Sequence, residues 1–116
     1  MKITRIFTDE QGETHFDEVE IPLKPHGQIG SLSETLPATG IIFRQVPSTY
    51  DYDWHNAPRR QYIINLDSGV EITVSDGETR KIGAGEVFLV EDTTGKGHVS
   101  RAIGGQVRHS VFVTLD

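Results

Sequence analysis

The stretch DWHNAPRRQYIINLDSG, Asp53 to Gly69, decides how this chain reads. A histidine, His55, stands just before the cluster Pro58-Arg59-Arg60. Gln61 follows, then the nearly unbroken apolar run YIINL, then a turn at Asp67-Ser68-Gly69. A short apolar run that stops at turn residues reads as a buried strand. On such a strand Gln61, Ile63 and Asn65 share one face, because side chains alternate. His55 is then either a ligand-binding residue at the mouth of a β-structure or a packed, hydrogen-bonded histidine.

Working outward, the same period-two pattern recurs and helical periodicity is hard to find. After the turn, VEITV places Val70, Ile72 and Val74 on one face. SDGE predicts a hairpin, with Asp76-Gly77 suited to the positive φ of a type I′ turn. EVFLVE reads as the next strand. HVSRAI, Gly104-Gly105 and VRHSVFVTL read as a last hairpin. Upstream, GIIFRQV gives a strand from Ile41 to Val46. In DEVEIPL, Val19, Ile21 and Leu23 point one way, and Pro22 puts that strand at an edge or bulge. HGQIGSLSETLPATG is the one long connection, with a helical turn expected near Ser33 to Leu36.

About eight short strands with tight turns predict an all-β sandwich or barrel. Its expected core is Ile41, Phe43, Ile63, Val70, Ile72, Val74, Val87, Leu89, Val111 and Val113. YIINL and VFLV are apolar on both faces. In a one-layer antiparallel sheet the outer face is polar, so some outer surface is expected to be covered, by the N-terminal strands or by a second subunit. The second option predicts a homodimer.

Composition narrows the function. At 116 residues the chain is expected to form one domain. It has no cysteine, hence no disulfide framework and no thiolate chemistry. The start, MKITRIFTDEQGE, lacks the apolar core of a signal peptide, and no run approaches the ~20 apolar residues of a membrane span. A cytoplasmic protein is expected. Net charge is −6 without long runs of one sign, which argues against nucleic-acid and membrane partners.

From about Ile41 to Val113 the chain resembles the cupin superfamily. The family's first motif runs G, five residues, H-x-H, three or four residues, E, six residues, G. His55 fits its first histidine, Ala57 stands at the second, Gln61 at the glutamate, and Gly69 falls one residue late. The second motif runs G, five residues, P-x-G, two residues, H, three residues, N. Gly85 fits its start, Glu91 replaces the proline, Thr93 the glycine, His98 arrives two residues late and Ala102 stands near the asparagine. The resemblance implies an antiparallel jelly-roll barrel, a double-stranded β-helix, over residues 1–116. For an intact site it implies a divalent transition metal such as Zn, Fe, Mn or Ni, held by imidazoles and a carboxylate. Here the surviving set is His55, Gln61 and His98, with Asp53 a possible replacement carboxylate. Alanine cannot ligate and glutamine offers only a neutral oxygen, so a metal-free pocket is the reading these departures favour.

The other candidate pocket residues follow from their positions. Arg59 and Arg60 are expected at the mouth, Arg44 mid-strand, and Trp54 and Tyr52 as an aromatic wall. A guanidinium clamps a carboxylate bidentately, and an aromatic wall with a few polar groups suits a small organic ligand. His55 alternatively bonds a backbone carbonyl, and His98 alternatively fixes the turn TTGKGH. His109 shares a face with Val111 and Val113 and is a further inward candidate. TTGKGH is not a phosphate loop, since the upstream glycine and the following helix are missing. Two functions remain. One is a pocket for a small organic acid or sugar-like ligand. The other is a metal-dependent enzyme of dioxygenase, isomerase or lyase type using His55, Gln61 and His98.

Overall fold

The computed structural model describes residues 1–116. Twelve strands follow in order: β1 (Lys2–Thr8), β2 (Thr14–Glu20), β3 (Lys24–Pro25), β4 (Ser31–Leu32), β5 (Gly40–Val46), β6 (Asp51–His55), β7 (Gln61–Asn65), β8 (Val70–Val74), β9 (Thr79–Ile82), β10 (Val87–Val90), β11 (His98–Ala102) and β12 (Arg108–Thr114). The protein is all-β. Its one helical turn is a 3-10 turn at Gly27–Ile29, not at Ser33 to Leu36. No helix is long and apolar enough to cross a membrane.

The strands form a six-stranded sheet, β2-β1-β10-β7-β12-β5, a four-stranded sheet, β6-β11-β8-β9, and the small pair β3-β4. Pairing is antiparallel except between β1 and β10. One apolar cluster joins the two large sheets. Ile6, Phe16, Ile63, Phe88 and Val90 come from the first, and Val70, Ile72, Val74 and Ile82 from the second. Burying each such side chain is worth about 1.5–3 kcal/mol, which holds the sheets face to face.

The connections differ from simple hairpins. Leu66 to Gly69 carries the chain from β7 in one sheet to β8 in the other. The Gly104-Gly105 turn likewise leads from β11 into β12 in the opposite sheet, with both glycines at φ near 60°. The expected last hairpin is therefore a crossover. β8 and β9 do form a hairpin. Its turn is not type I′, because Asp76 keeps a negative φ and only Gly77, at φ 98°, is left-handed. Asp76 Oδ1 accepts the Glu78 N–H instead, at 2.8 Å.

Several strand faces follow the sequence pattern. Ile63, Val70, Ile72, Val74, Leu89 and Val111 are buried. Ile41 and Phe43 are not, at 58% and 76% exposed. β5 is apolar in both phases, so alternation does not choose between them. The structure turns Arg44 and Val46 inward, leaves Ile41 and Phe43 on the outer side of an edge strand, and keeps Ile42 exposed as well. β12 inverts only in part, since Val111, in phase with His109, is buried. Arg108, Ser110 and Thr114 are buried, whereas His109 is exposed. β2 ends at Glu20, so Ile21 and Leu23 lie beyond it and its buried face is Thr14 and Phe16. The N-terminal strands do not cover the large sheet. They extend its edge, through β1 beside β10.

Candidate functional site

A cavity of about 260 Å³ opens between the two large sheets. Its floor is apolar: Ile63, Val70, Ile72, Phe88 and Val90. Its polar wall comprises Arg44, His55, Gln61, His98, Ser100 and Arg108, with Tyr50 and Tyr52 beside them. The volume lies just below the ~300–1,000 Å³ typical of pockets for drug-sized ligands, so it suits a small metabolite.

His55 and His98 meet because β6 and β11 pair with these two residues in register. Their ring centroids are 4.4 Å apart. Tyr52 stacks on His55 at 3.6 Å and 10°. His55 Nδ1 lies 2.7 Å from the Asp53 carbonyl oxygen. A carbonyl only accepts, so Nδ1 carries the proton, and the neutral ring keeps its lone pair on Nε2. Burial lowers the His55 pKa, and the neighbouring His98 and Arg44 charges act the same way.

His98 is held differently. Its Nδ1 is 2.5 Å from Oδ2 of Asp92, and the carboxylate is fully buried. Asp92 Oδ1 has no hydrogen-bond partner. The loop carrying Asp92 is tied to the end of β6. Ala57 N–H donates to the Asp92 carbonyl at 3.1 Å, and the Asn56 amide donates to the Asp92 and Gly95 carbonyls. Gly97, at φ 74°, lies directly against the His55 carbonyl, where a Cβ would overlap it.

The arginines carry the electrostatics. Arg44 donates from Nε to Ser110 Oγ at 3.1 Å and lies over the Phe112 ring at 4.5 Å. Arg108, 3% exposed, donates from Nη1 to Asn65 Oδ1 at 3.2 Å and lies 5.5 Å from the Tyr50 ring centre. Neither makes an ion pair, whereas Arg5, Arg60, Arg80 and Arg101 each meet a carboxylate. Burial lowers both pKa values, and the Arg44 charge helps push Arg108 down to about 10. Both remain protonated at neutral pH.

The sequence candidates divide accordingly. His55, Gln61, His98 and Arg44 line the cavity. Arg59 does not line it, but its Nη1 reaches Gln61 Oε1 at 3.4 Å. Arg60 turns outward to Glu91 at 2.8 Å and Asp116 at 3.6 Å. Trp54 is half exposed and is no part of the wall. His109 bonds Asp67 and Gln45 on the outer surface. Arg108 and Asp92 are the residues sequence reasoning missed. Arg108 opens β12 beside His109 and Ser110, so nothing in the pattern singled it out, and Asp92 had no clue beyond lying six residues before a histidine.

The wall does not fit a divalent metal. No three His, Cys, Asp or Glu side chains come together to hold one. His55, His98 and Gln61 offer neutral donors without the compensating carboxylate, and Arg44 and Arg108 add two positive charges to the same cavity. A dication placed there meets repulsion where it needs negative charge.

Neither a protein-family model nor a curated protein matches the chain. Among solved structures it is similar to protein NMB1881 from Neisseria meningitidis, at 21% identity and a TM-score of 0.52, over 70% of this chain and 79% of that one. It is also similar to the conserved SPY1581 protein of unknown function from Streptococcus pyogenes, at 18% identity and a TM-score of 0.52, over 72% of this chain and 69% of that one. The likeness is one of fold.

Proposed function

We propose that this chain is a small-molecule-binding protein of cupin-like, double-stranded β-helix type, whose pocket takes a small organic anion such as a carboxylic or sugar acid. Two facing, mainly antiparallel sheets joined by crossovers, and the motif remnants around His55 and His98, support the fold assignment. One observation carries the functional reading. Arg44 and Arg108 are two cations in one buried cavity, and neither has a carboxylate partner. Buried charges are normally paired, so the pair is poised for an anion supplied from solution. A bidentate guanidinium–carboxylate contact adds direction to the attraction. The cavity's apolar floor and the nearby Gln61, Ser100 and His55 Nε2 provide for the rest of a small, partly hydroxylated molecule.

The test is a thermal-shift screen of small carboxylic acids, sugar acids and neutral sugars against the wild type and Arg108→Gln. Acids are expected to stabilise the wild type and neutral sugars to leave it unchanged. Losing one charged contact, about 1.5–3 kcal/mol, weakens binding roughly tenfold to a hundredfold. Stabilisation by neutral sugars alone would overturn the anionic reading.

A further inference from the structure

Anion binding engages the two arginines and leaves without a task a second cluster, His98 on the cavity wall and Asp92 buried behind it. Asp92 is fully buried and its hydrogen-bonded oxygen is spent on His98 Nδ1. Burying such a pair costs desolvation that its mutual attraction does not reliably offset. Fastening the loop does not require it. Asn56, the Ala57 N–H, the Lys96 N–H on the Gly12 carbonyl and the Lys96–Glu13 ion pair already hold Asp92 to Gly97 in place. With Nδ1 committed to Asp92, the one free nitrogen of His98 is Nε2, on a ring that lines the cavity.

We propose that His98, oriented by Asp92, is a general base that moves a proton to and from carbon in a bound carboxylate whose C–H lies next to a carbonyl group. The proposal rests on the anion-binding reading above. The carbonyl is required because an imidazole is too weak a base for an unactivated C–H. In the forward step the C–H bond breaks and its proton goes to Nε2. The C–H electron pair forms C=C, and the carbonyl π pair moves onto oxygen to give an enolate. Asp92 faces the imidazolium through Nδ1–H, the arrangement that holds a histidine base in its working tautomer. Arg44 or Arg108 faces the developing oxyanion, where a fixed positive charge in a dry site is most effective. The return step delivers the Nε2 proton back to carbon, so no oxidant, reductant or further reactant is consumed. His55 acts as a positioning residue. It stacks on Tyr52, lies tilted against His98 with the ring centroids 4.4 Å apart, and as a neutral ring adds no second positive charge beside the imidazolium.

The experiment follows proton loss from C3 of pyruvate, 2-oxobutyrate and 2-oxoglutarate in D2O by proton NMR, with EDTA present and absent. Acetate, which lacks an activated C–H, is the negative control. Thermal shift measures binding of each acid in parallel, on the wild type, His98→Gln and Asp92→Asn. The wild type should exchange at least one oxo acid, unaffected by EDTA. His98→Gln should lose about a hundredfold or more in exchange rate, the lower end of what a positioned base contributes, while still being stabilised by the acid. Asp92→Asn should lose at least about tenfold by presenting the wrong tautomer, again with binding kept, and it carries the test alone if His98→Gln does not fold. Acids that bind without exchange, exchange that survives in His98→Gln, or exchange abolished by EDTA each overturn the proposal and leave anion binding standing. Failure of every acid to bind overturns the anion reading as well, and is seen in the thermal-shift arm.

Discussion

His55 and His98 face each other across β6 and β11 with ring centroids 4.4 Å apart, yet each commits its Nδ1 to a different kind of partner. For His55 it is a backbone carbonyl, and for His98 a buried carboxylate. Two like rings in one register pair thereby acquire unlike surroundings. The carbonyl fixes a neutral tautomer, whereas the carboxylate offers a place to balance positive charge. Opposite them the cavity wall is cationic through Arg44 and Arg108. An acid bound there completes the charge balance.

The first prediction follows from the unpaired cations. Arg44→Met should stabilise the ligand-free protein by about 1 kcal/mol, because it removes a desolvated charge and keeps an apolar chain of similar length. It also relieves repulsion of Arg108, whose pKa should rise from about 10. The same change should abolish stabilisation by acids. Urea denaturation with and without ligand measures both. A loss of more than about 1 kcal/mol without ligand would show that Arg44 is mainly structural.

The second concerns the turn that seats His55. Gly97 has φ 74° and its missing Cβ would overlap the His55 carbonyl, whereas Gly77 has φ 98° and open space around it. Both Ala substitutions incur the left-handed backbone cost, about 1–2 kcal/mol. Only Gly97→Ala must also move β6. It should therefore destabilise by more than about 2 kcal/mol and weaken ligand binding, while Gly77→Ala leaves binding intact. Equal effects of the two on binding would separate His55 from the site.

Part of this arrangement was legible in the sequence. Gln61, Ile63 and Asn65 read correctly as one inward face, because β7 lies between strands and its polar ends are distinctive. β5 and β12 did not. Each carries apolar residues in both phases, so only the sheet pairing decides that Arg44 and Arg108 turn inward and that Phe43 and His109 turn out. Arg60 illustrates the complementary difficulty. It adjoins Gln61, but its partners Glu91 and Asp116 are distant in sequence and draw it to the surface. Asp92 sits in a polar loop, EDTTG, where burial is invisible without the tertiary contacts of Asn56 and His98.

The third prediction is a pH dependence away from the cavity. His15 bridges Asp76 through Nδ1 at 2.7 Å and Asp9 through Nε2 at 2.6 Å, tying β2 to the β8–β9 turn. Its pKa is raised above the ordinary 6.5, first by the bond to Asp9 and then by that to Asp76. The folded state thus holds the proton more tightly than the unfolded chain. The bridge contributes fully below the unfolded value of 6.5 and fades as pH rises through the folded one. On the acid side Asp9 is depressed by its bond from His15, and Asp76 by the Glu78 N–H. Their stabilisation is present above the ordinary 3.8 and fades as pH falls through their folded values. The melting-temperature gap between wild type and His15→Gln should be widest near pH 5 and shrink by about pH 9. A gap that widens toward alkaline pH would reverse the sign.

The last prediction is a homodimer formed through β5. This strand ends the six-stranded sheet, so its outer backbone edge has no partner, and Ile41 and Phe43 project from it at 58% and 76% exposure. Leu66, 53% exposed, adjoins Phe43 at a shallow groove with His109. An unpaired edge beside apolar side chains is a template for pairing with another strand. The chain shields part of the same outer face itself, since Leu32 to Ala38 lies beside Tyr62, Val113 and Leu115. It does not reach Ile41 or Phe43. A second copy related by a two-fold axis supplies an identical edge and an identical apolar pair, which makes the contact self-complementary. Light scattering should give a mass near twice 12.9 kDa. Ile41→Lys combined with Phe43→Lys should return it to the monomer value with acid binding retained, because both side chains point away from the cavity. A wild-type mass near 12.9 kDa at every concentration would rule out the dimer, and an unchanged dimer in the double variant would move the interface elsewhere.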